Sequence, residues 1–405
     1  MKKILLIEDD QLFANVYRNR LLVEGFEVEV AGDGEAGLEL TRSFRPDVIL
    51  LDLILPKLPG VEFIKRIRLE SEFQKLPLIV LTNTYLTSNV QDAWKAGATH
   101  CLTKANCTPK QVIRMIRKVL SGTTTAATPA EPIPNTLVNR TPLSSPSTPL
   151  ETPPVSDDSE ELFQAELRKS FIDEQPATLA ALRSLLQALV KAENETARLQ
   201  AAQPFYRRVR GLTGNAGIAG LFQIAQMAEC LEALLKELHE KPKTINASTL
   251  RTVASSVDFL GFLFERSSLM ADEPPRDSVV LVVDDEAISR RAITYSLEKA
   301  KLRSVNVEDP LQALQLVSSR PFDLIFLDVD MPIMNGYELC SKLRSLPACR
   351  TTPVVFVTNL YDFESRANSS MSGGNDFIAK PFLFVELAVK ALLYVLRRQL
   401  ETAQP

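Results

Sequence analysis

Four chemically active residues recur in this chain at a constant separation of 276 residues. The two sets are Asp9, Asp52, Thr82 and Lys104, and Asp285, Asp328, Thr358 and Lys380. Two segments have therefore kept the spacing between two acids, a hydroxyl and an amine. The periodicity of helices and strands does not require this spacing. We infer that the chain contains an internal duplication of one functional unit.

Two breaks in composition divide the chain of 405 residues. Residues 122–158 are rich in proline, threonine and serine, and their isolated apolar side chains cannot bury enough surface to offset the entropy lost on ordering. A shorter proline-containing break covers residues 271–277. We therefore predict three folded units joined by linkers, at 1–121, 159–270 and 278–400.

Composition and charge narrow the class of protein. A net charge of −4 and a pI near 5.6 argue against a broadly basic nucleic-acid-binding protein. The apolar run Ile4–Ile7 is too short for a signal peptide, and no uncharged stretch reaches membrane-spanning length. Five cysteines without C-x-x-C pairs fit reduced thiols. We predict a cytoplasmic location, with neither nucleic acid nor a membrane as partner.

Both outer units alternate short apolar runs with amphipathic segments. Short apolar runs that are rich in β-branched residues are typical of strands buried on both faces of a parallel sheet. The runs are Ile4–Ile7, Val28–Ala31, Val48–Leu51, Leu78–Leu81 and Cys101–Leu102, and then Val279–Val283, Val305–Val307, Leu324–Leu327, Val354–Val357 and Phe377–Ala379. Their alternation with helical segments predicts an α/β fold of about five strands in each outer unit.

The recurring residues all follow or end predicted strands. Asp9 and Asp285 follow the first strand of their unit. Asp52 and Asp328 end the third strand, the threonines end the fourth, and the lysines end the fifth. Parallel strands bring such residues to one carboxyl edge, where open α/β folds bind their ligands.

Carboxylates gathered at such an edge repel one another unless a cation joins them. Oxygen ligands of this kind suit Mg²⁺. The candidate ligands are Glu8, Asp9 and Asp52 in the first unit, and Asp284, Asp285 and Asp328 in the second. A carboxylate beside Mg²⁺ and an ammonium group can accept a phosphoryl group, to which a threonine hydroxyl can donate. The alternative is a structural cluster of ion pairs without a reaction.

These motifs resemble the receiver domain of two-component response regulators over nearly all of both outer units. The segments that carry the resemblance are Ile4–Asp10, Pro46–Pro56 and Val80–Thr82, and then Val282–Asp285, Asp323–Pro332, Asn335–Gly336, Val357–Thr358 and Lys380–Pro381. The resemblance implies two flavodoxin-like, doubly wound (βα)5 domains of the CheY-like type, each with a parallel sheet.

The resemblance also implies roles for the recurring residues. The implied phosphoacceptor, threonine and lysine are Asp52, Thr82 and Lys104 in the first unit, and Asp328, Thr358 and Lys380 in the second. The remaining acids of each cluster would hold Mg²⁺. A sensor histidine kinase or a histidine phosphotransfer protein would donate the phosphoryl group, and a downstream signalling protein would be contacted. Autocatalytic phosphorylation and dephosphorylation would be the only reaction.

The two receivers depart from the family pattern to different degrees. The second has Phe377 at the position of the usual aromatic switch, whereas the first has Cys101 there and Ala105 after its lysine. We therefore expect the first receiver to accept phosphate without signalling by the usual aromatic rotation. Asn83 and Asn359 follow the threonines where the family commonly has a smaller residue. Their bulk predicts slow phosphoryl exchange at both sites.

The central unit contains no strand pattern. Its amphipathic segments predict helices at Glu160–Asp173, Ala177–Lys191, Ala197–Thr213, Leu221–Glu240 and Ala247–Glu265, with Asn246 as an N-cap. Helices joined by short connections favour an antiparallel helical bundle.

A glycine-rich segment of the third predicted helix resembles the signature of histidine phosphotransfer (HPt) domains. Gly211, Gly214 and Gly217 follow Arg207 along one predicted face. That family has its phosphorylated histidine at the position of Arg207, and arginine offers no lone pair for attack. We therefore predict a degenerate module that docks on a receiver's acidic pocket through Arg207, Arg208 and Arg210. Tight helix packing and a solvated basic face are the alternatives.

The leading hypothesis is a response regulator with two phosphoaccepting receivers that flank a degenerate HPt module. An active phosphorelay transferase is a second hypothesis, and it would need another histidine, His100 or His239. A phosphatase of the haloacid dehalogenase type is a third, suggested by Asp328 and Asp330. The second aspartate of that motif has no match at Ile54 in the first unit.

Overall fold

The apolar runs of both outer units form the strands of two parallel sheets. The computed structural model of the chain describes residues 1–83, 89–106, 108–121, 157–267, 278–358 and 372–402. The predicted linker at 271–277 and residues 122–156 of the longer linker lie outside the described residues. The third and fourth strands of each sheet are buried at every position, which explains their unbroken apolar sequences.

The first sheet contains five strands, each followed by a helix. The strands are β1 (Lys3–Ile7), β2 (Glu27–Ala31), β3 (Val48–Asp52), β4 (Leu78–Thr82) and β5 (His100–Thr103). The helices are α1 (Gln11–Val23), α2 (Gly34–Phe44), α3 (Gly60–Leu69), α4 (Asn89–Ala96) and α5 (Pro109–Leu120). The strand order is β2-β1-β3-β4-β5, and β1 pairs in parallel with both β2 and β3.

The central region is helical, as predicted, but its first helix is longer than expected. Its helices are α6 (Asp157–Lys191), α7 (Glu195–Ile218), α8 (Phe222–Glu240) and α9 (Ala247–Arg266). Two predicted helices are one continuous helix, α6, with Pro176 inside it. Helix α7 runs past the predicted end at Thr213, so the glycine-rich segment is helical. Asn246 caps α9 as predicted, accepting hydrogen bonds from two backbone N–H groups.

The second sheet repeats the topology of the first. Its strands are β6 (Val279–Val283), β7 (Arg303–Val307), β8 (Leu324–Asp328), β9 (Val354–Thr358) and β10 (Asp376–Ala379). Its described helices are α10 (Ala287–Lys299), α11 (Pro310–Ser319), α12 (Gly336–Ser345) and α13 (Phe384–Thr402). The order β7-β6-β8-β9-β10 matches that of the first sheet. The predicted fold class, two α/β units and a helical unit between them, is confirmed.

Two apolar cores cover the two faces of the second sheet. Leu281 and Val283 of β6 point into one core, and Val280 and Val282 of the same strand point into the other. Alternation of this kind follows from the two-residue period of a strand. Because both faces are covered, β6 is apolar at every position.

The chain forms two compact units. The first comprises Met1–Val80, Ala93–Cys101 and Thr108–Ser170, and the second comprises Leu81–Asp92, Leu102–Cys107 and Phe171–Pro405. The second unit thus holds most of the bundle, the whole second sheet and the segments at the ends of β4 and β5. Within the described ranges, no helix is both long and apolar enough to cross a membrane.

The guanidinium of Arg344 ties α12 to two surrounding loops. It donates to the backbone oxygens of Cys349 and Thr352, at 2.8 and 2.7 Å. It also donates to the backbone oxygen of Gly373 at 2.8 Å and to Asn375 Oδ1 at 2.9 Å. Arg344 therefore supplies the hydrogen bonds of several carbonyl oxygens. These bonds stabilise the loop that leads into β10.

We expect Arg344→Ala to destabilise the protein by about 3 kcal/mol, because it leaves partly buried carbonyl oxygens without their charged donor. Lys342→Ala is the matched control, since Lys342 lies in the same helix with an exposed side chain. Urea denaturation of the full chain followed by circular dichroism measures the effect. Equal unfolding midpoints for the two variants would contradict this account of Arg344.

Candidate functional site

Three carboxylates and one ammonium group meet at the carboxyl edge of the second sheet. Carboxylate oxygens of Asp284, Asp285 and Asp328 lie within 4.8 Å of one another. Lys380 Nζ lies 3.1 Å from Asp284 Oδ2 and 3.2 Å from Asp328 Oδ2. Because Asp285 is exposed while the other two acids are buried, the cluster is reached by solvent on the Asp285 side.

Short-range hydrogen bonds orient the two buried acids. The Glu286 N–H donates to Asp284 Oδ1 at 2.9 Å, and the Ser289 hydroxyl donates to Asp284 Oδ2 at 2.5 Å. The Val329 N–H donates to Asp328 Oδ1 at 2.8 Å. The second oxygen of Asp328 faces Lys380. The backbone therefore fixes one oxygen of this carboxylate, and the lysine faces the other.

Burial and like charge raise the pKa of Asp328. The carboxyl group loses solvation and is repelled by Asp284, while Lys380 opposes both effects. The pKa of Lys380 is also raised: burial alone would lower it, but attraction to the two carboxylates outweighs burial. The lysine therefore stays protonated, and its positive charge faces Asp284 and Asp328.

Adjacent strands bring Thr358 and Lys380 to the cluster. The buried Thr358 ends β9, and Ala379 of β10 pairs with it in register. The Lys380 N–H then donates to the Thr358 backbone oxygen at 2.8 Å. The threonine and lysine singled out from the sequence thus lie at neighbouring strand ends. Asn359 lies outside the described residues.

A matching acid cluster lies at the edge of the first sheet. Carboxylate oxygens of Glu8, Asp9 and Asp52 lie within 4.8 Å of one another, and Glu8 and Asp52 are buried. The Ile54 N–H donates to Asp52 Oδ1 at 3.1 Å, and the Asp10 N–H donates to Glu8 Oε1 at 3.3 Å. The three acids predicted as ligands in the first unit therefore lie together.

Thr82 and Lys104 occupy the predicted strand ends of the first sheet. Thr82 is the last residue of β4, and Lys104 follows β5 directly and begins a 3-10 turn, Lys104–Asn106. Both side chains are buried, and both residues belong to the second compact unit.

The third strand of each sheet is followed by a glycine that the loop geometry requires. A Cβ atom on Gly60 would lie 2.5 Å from the backbone oxygen of Asp52, and one on Gly336 would lie 2.2 Å from that of Asp328. The two glycines begin α3 and α12 and are separated by the same 276 residues. Sequence reasoning did not use this pair, although the constant offset would have found it.

Both acid clusters have the donor set of a divalent cation site. Among the described residues of the second cluster, three carboxylates lie close together beside the Lys380 ammonium group, and two of the three are buried. Uncompensated buried charge is costly, and hard divalent cations such as Mg²⁺ prefer carboxylate oxygens. The residues present therefore fit the expected Mg²⁺.

The segment after β4 contacts the helical bundle through Asn83. Its Nδ2 atom donates to the backbone oxygen of Arg210 at 3.1 Å and to Glu232 Oε2 at 3.0 Å. The 3-10 turn contacts α7 as well: a Cβ atom on Gly217 would lie 2.0 Å from the backbone oxygen of Lys104. The sequence analysis did not predict these contacts. Two features could have indicated them: Gly217 in α7, and Ala105, which departs from the family pattern after the lysine.

Only part of the predicted contact face of α7 makes these contacts, through the backbone oxygen of Arg210 and the close approach of Gly217. Arg207 and Arg208 are exposed, and Arg208 Nη2 donates to Thr178 Oγ1 at 3.0 Å. A Cβ atom on Gly211 would have nothing within 4 Å. Gly211 and Gly217 are about 120° apart around a helix with 3.6 residues per turn, so the three glycines do not share one face.

Comparison with known proteins agrees with the geometry of both outer units. The family model of the response regulator receiver domain matches residues 4–117 and 280–391, together more than half of the chain. Protein RcaC of Microchaete diplosiphon is 32% identical over 120 residues, which cover 30% of this chain and 18% of that protein.

Other relatives share one domain with the chain. The cyclic di-GMP phosphodiesterase response regulator RpfG of Xanthomonas campestris is 32% identical over 31% of this chain and 34% of its own length. The solved chemotaxis response regulator CheY4 of Vibrio cholerae is 28% identical over 30% of this chain and 99% of its own, with a TM-score of 0.28. The chain spans only 18% to 52% of the first three curated relatives. From the family match, the chain belongs to the response regulator receiver domain family and contains two such domains.

Proposed function

We propose that the protein is a response regulator of a two-component phosphorelay that accepts phosphoryl groups on Asp52 and Asp328. The observation that carries the proposal is the position of Lys380, 3.1 and 3.2 Å from the oxygens of Asp284 and Asp328. The same spacing of acid, acid, threonine and lysine recurs in the first receiver. A buried acid held beside an ammonium group is the arrangement that phosphoryl transfer to a carboxylate needs.

Transfer to Asp328 forms one bond to phosphorus and breaks another. An oxygen of the carboxylate attacks the phosphorus, and the P–N bond of a phosphohistidine donor or the P–O bond of acetyl phosphate breaks. The leaving group departs with the bonding electron pair. Lys380 neutralises charge on the phosphoryl oxygens, and the Thr358 hydroxyl donates a hydrogen bond to one of them.

Magnesium is the proposed cofactor at both sites. The residues that would hold it are Glu8, Asp9 and Asp52 in the first receiver, and Asp284, Asp285 and Asp328 in the second. When bound, Mg²⁺ supplies positive charge to the phosphoryl oxygens. The three acids of each cluster would otherwise repel an anionic donor.

The proposed partners follow from this chemistry. A sensor histidine kinase or a separate HPt protein supplies the phosphoryl group, and a downstream protein reads the phosphorylated state. We assign residues 1–121 and 278–400 to the receivers, 122–158 and 271–277 to linkers, and 159–270 to the central module. A cytoplasmic location and the absence of nucleic-acid and membrane partners stay predictions from the sequence.

We propose that the central module is an HPt-like bundle without a phosphorylatable histidine, which docks on the first receiver. Support comes from Ala105, which is fully buried within the apolar cluster of the bundle. The close approach of Gly217 to Lys104 and the hydrogen bonds of Asn83 add to it. Arg207 stands where the histidine would be, so the docked module cannot accept the phosphoryl group.

Two other hypotheses make different predictions. An active relay would form a phosphohistidine at His100, whose pKa burial lowers, or at His239 in the last turn of α8. The double variant His100→Gln/His239→Gln should then lose transfer, whereas our proposal expects unchanged aspartyl labelling. A haloacid dehalogenase-type phosphatase would turn over small phosphate esters, and we expect no such turnover.

Labelling with acetyl phosphate and Mg²⁺ tests the two acceptors. We expect wild type to gain up to two hydroxylamine-sensitive phosphoryl groups, and Asp52→Asn and Asp328→Asn to gain at most one each, because each variant removes one nucleophile. Intact-protein mass spectrometry counts the groups. Chelation of Mg²⁺ with EDTA should abolish the labelling of every variant.

Asp330→Asn is the matched control for the acceptor variants. Its exposed side chain lies in the loop after β8, two residues beyond Asp328. We expect it to retain labelling at both sites. Two phosphoryl groups on the double variant Asp52→Asn/Asp328→Asn would reject both assignments.

A comparison of two glycines in α7 tests the docking of the bundle. Gly217→Ala should push the Lys104–Asn106 turn away, because the added methyl group would overlap a backbone oxygen. We expect faster amide hydrogen exchange in residues 102–106, measured by mass spectrometry. Gly211→Ala is the control, since its methyl group meets open space and should stabilise the helix by about 1 kcal/mol. Equal exchange in the two variants would reject docking.

A further inference from the structure

The bundle contacts the second receiver through one face of α9. Ser248 Oγ donates to Glu386 Oε1 at 2.6 Å, and Thr252 Oγ1 donates to the same oxygen at 3.1 Å. Between them in sequence, the Arg251 guanidinium lies 4.4 Å from the centre of the Phe377 ring. Residues three and four apart share a helix face, so α9 contacts both β10 and the first turn of α13.

Strand β10, which carries Phe377 under Arg251, leads directly to the acid cluster. Strand β10 lies at the edge of the sheet, and among the described strands it pairs with β9 alone. It leads directly from Phe377 to Lys380, whose ammonium group contacts Asp328. A change of charge at Asp328 therefore reaches Phe377 through three residues of an edge strand.

One apolar cluster connects this contact with the first receiver. We call it the bundle core; its buried members include Leu212, Ala216, Leu231, Val253 and Leu260 of the bundle, Val389, Leu392, Leu393 and Leu396 of α13, and Ala105. Closely packed cores transmit small displacements because they contain few voids. The 3-10 turn at Lys104–Asn106 and the last helix of the second receiver thus share one core.

We propose that the bundle is the internal target of the second receiver and couples the state of Asp328 to the Lys104–Asn106 turn of the first. This inference rests on the proposed acceptor role of Asp328. A phosphoryl group there attracts Lys380 and shifts β10. The contact of Phe377 with Arg251 then weakens and α9 moves. As a result, Ala105 packs less closely in the bundle core. Coupling is reciprocal in free energy, so release of the turn favours the modified state of Asp328.

Beryllofluoride with Mg²⁺, a stable mimic of a phosphoryl group on aspartate, tests the coupling in full-length Asp52→Asn protein. Hydrogen exchange is followed in residues 328–336, 247–254 and 102–106. We expect slower exchange in the first segment, where the probe binds. Exchange in the other two segments should rise by roughly fivefold or more, the lower range of allosteric couplings.

Three further variants in the Asp52→Asn background sharpen the test. Asp328→Asn should abolish all changes. Arg251→Met keeps the length of the side chain but removes its charge, and it should remove the response of residues 102–106. Arg320→Met is the matched control, because Arg320 stacks on Phe322 at 5.0 Å within the second receiver and should leave the response intact.

The outcomes separate the coupling from the acceptor assignment. Slower exchange at 328–336 with no change at 247–254 and 102–106 would overturn the coupling and leave the acceptor role in place. A response that survives Arg251→Met undiminished would also overturn it. No change at 328–336 would reject Asp328 as an acceptor, and the coupling with it.

Discussion

The burial of Asp284 and Asp328 beside Lys380 is the constraint on which the second receiver depends. Two carboxylates out of water are costly unless hydrogen bonds and opposite charge compensate them. Backbone N–H groups and a serine hydroxyl satisfy part of this demand, and Lys380 satisfies another part. These donors work only if two loops and three strand ends stay in place, so the acid cluster depends on the rigid fold around it.

The duplication has preserved the scaffold and changed its surroundings. Arg68 donates to the backbone oxygen of Gly97, as Arg344 does to that of Gly373, with the same offset of 276 residues. The two receivers differ instead in what surrounds the fifth strand of each sheet. In the second receiver Phe377 lies under an arginine of the bundle, whereas in the first Ala105 is buried in the bundle core. The bundle therefore contacts β10 and the Lys104–Asn106 turn by different chemistry.

Helix prediction failed where tertiary packing outweighed local preference. Proline costs a helix one hydrogen bond and a steric clash, so the sequence around Pro176 predicted two helices. The structure keeps one, because residues on both sides of the proline pack on the same partner, α9. Phe171 packs edge-on against Phe264, and Gln175 hydrogen-bonds to Ser267. Beyond the proline, Leu179 lies against Gly261 of α9.

The sequence alone determined the two sheets and the position of each acid, threonine and lysine at a strand end. Strands buried on both faces leave an unbroken apolar signature, and parallel strands bring their carboxyl ends to one edge. Only the tertiary structure decided which face of α7 meets the Lys104–Asn106 turn and which arginine covers Phe377. Those contacts join residues more than one hundred positions apart, and they depend on helix rotation and close backbone approach, which no local pattern encodes.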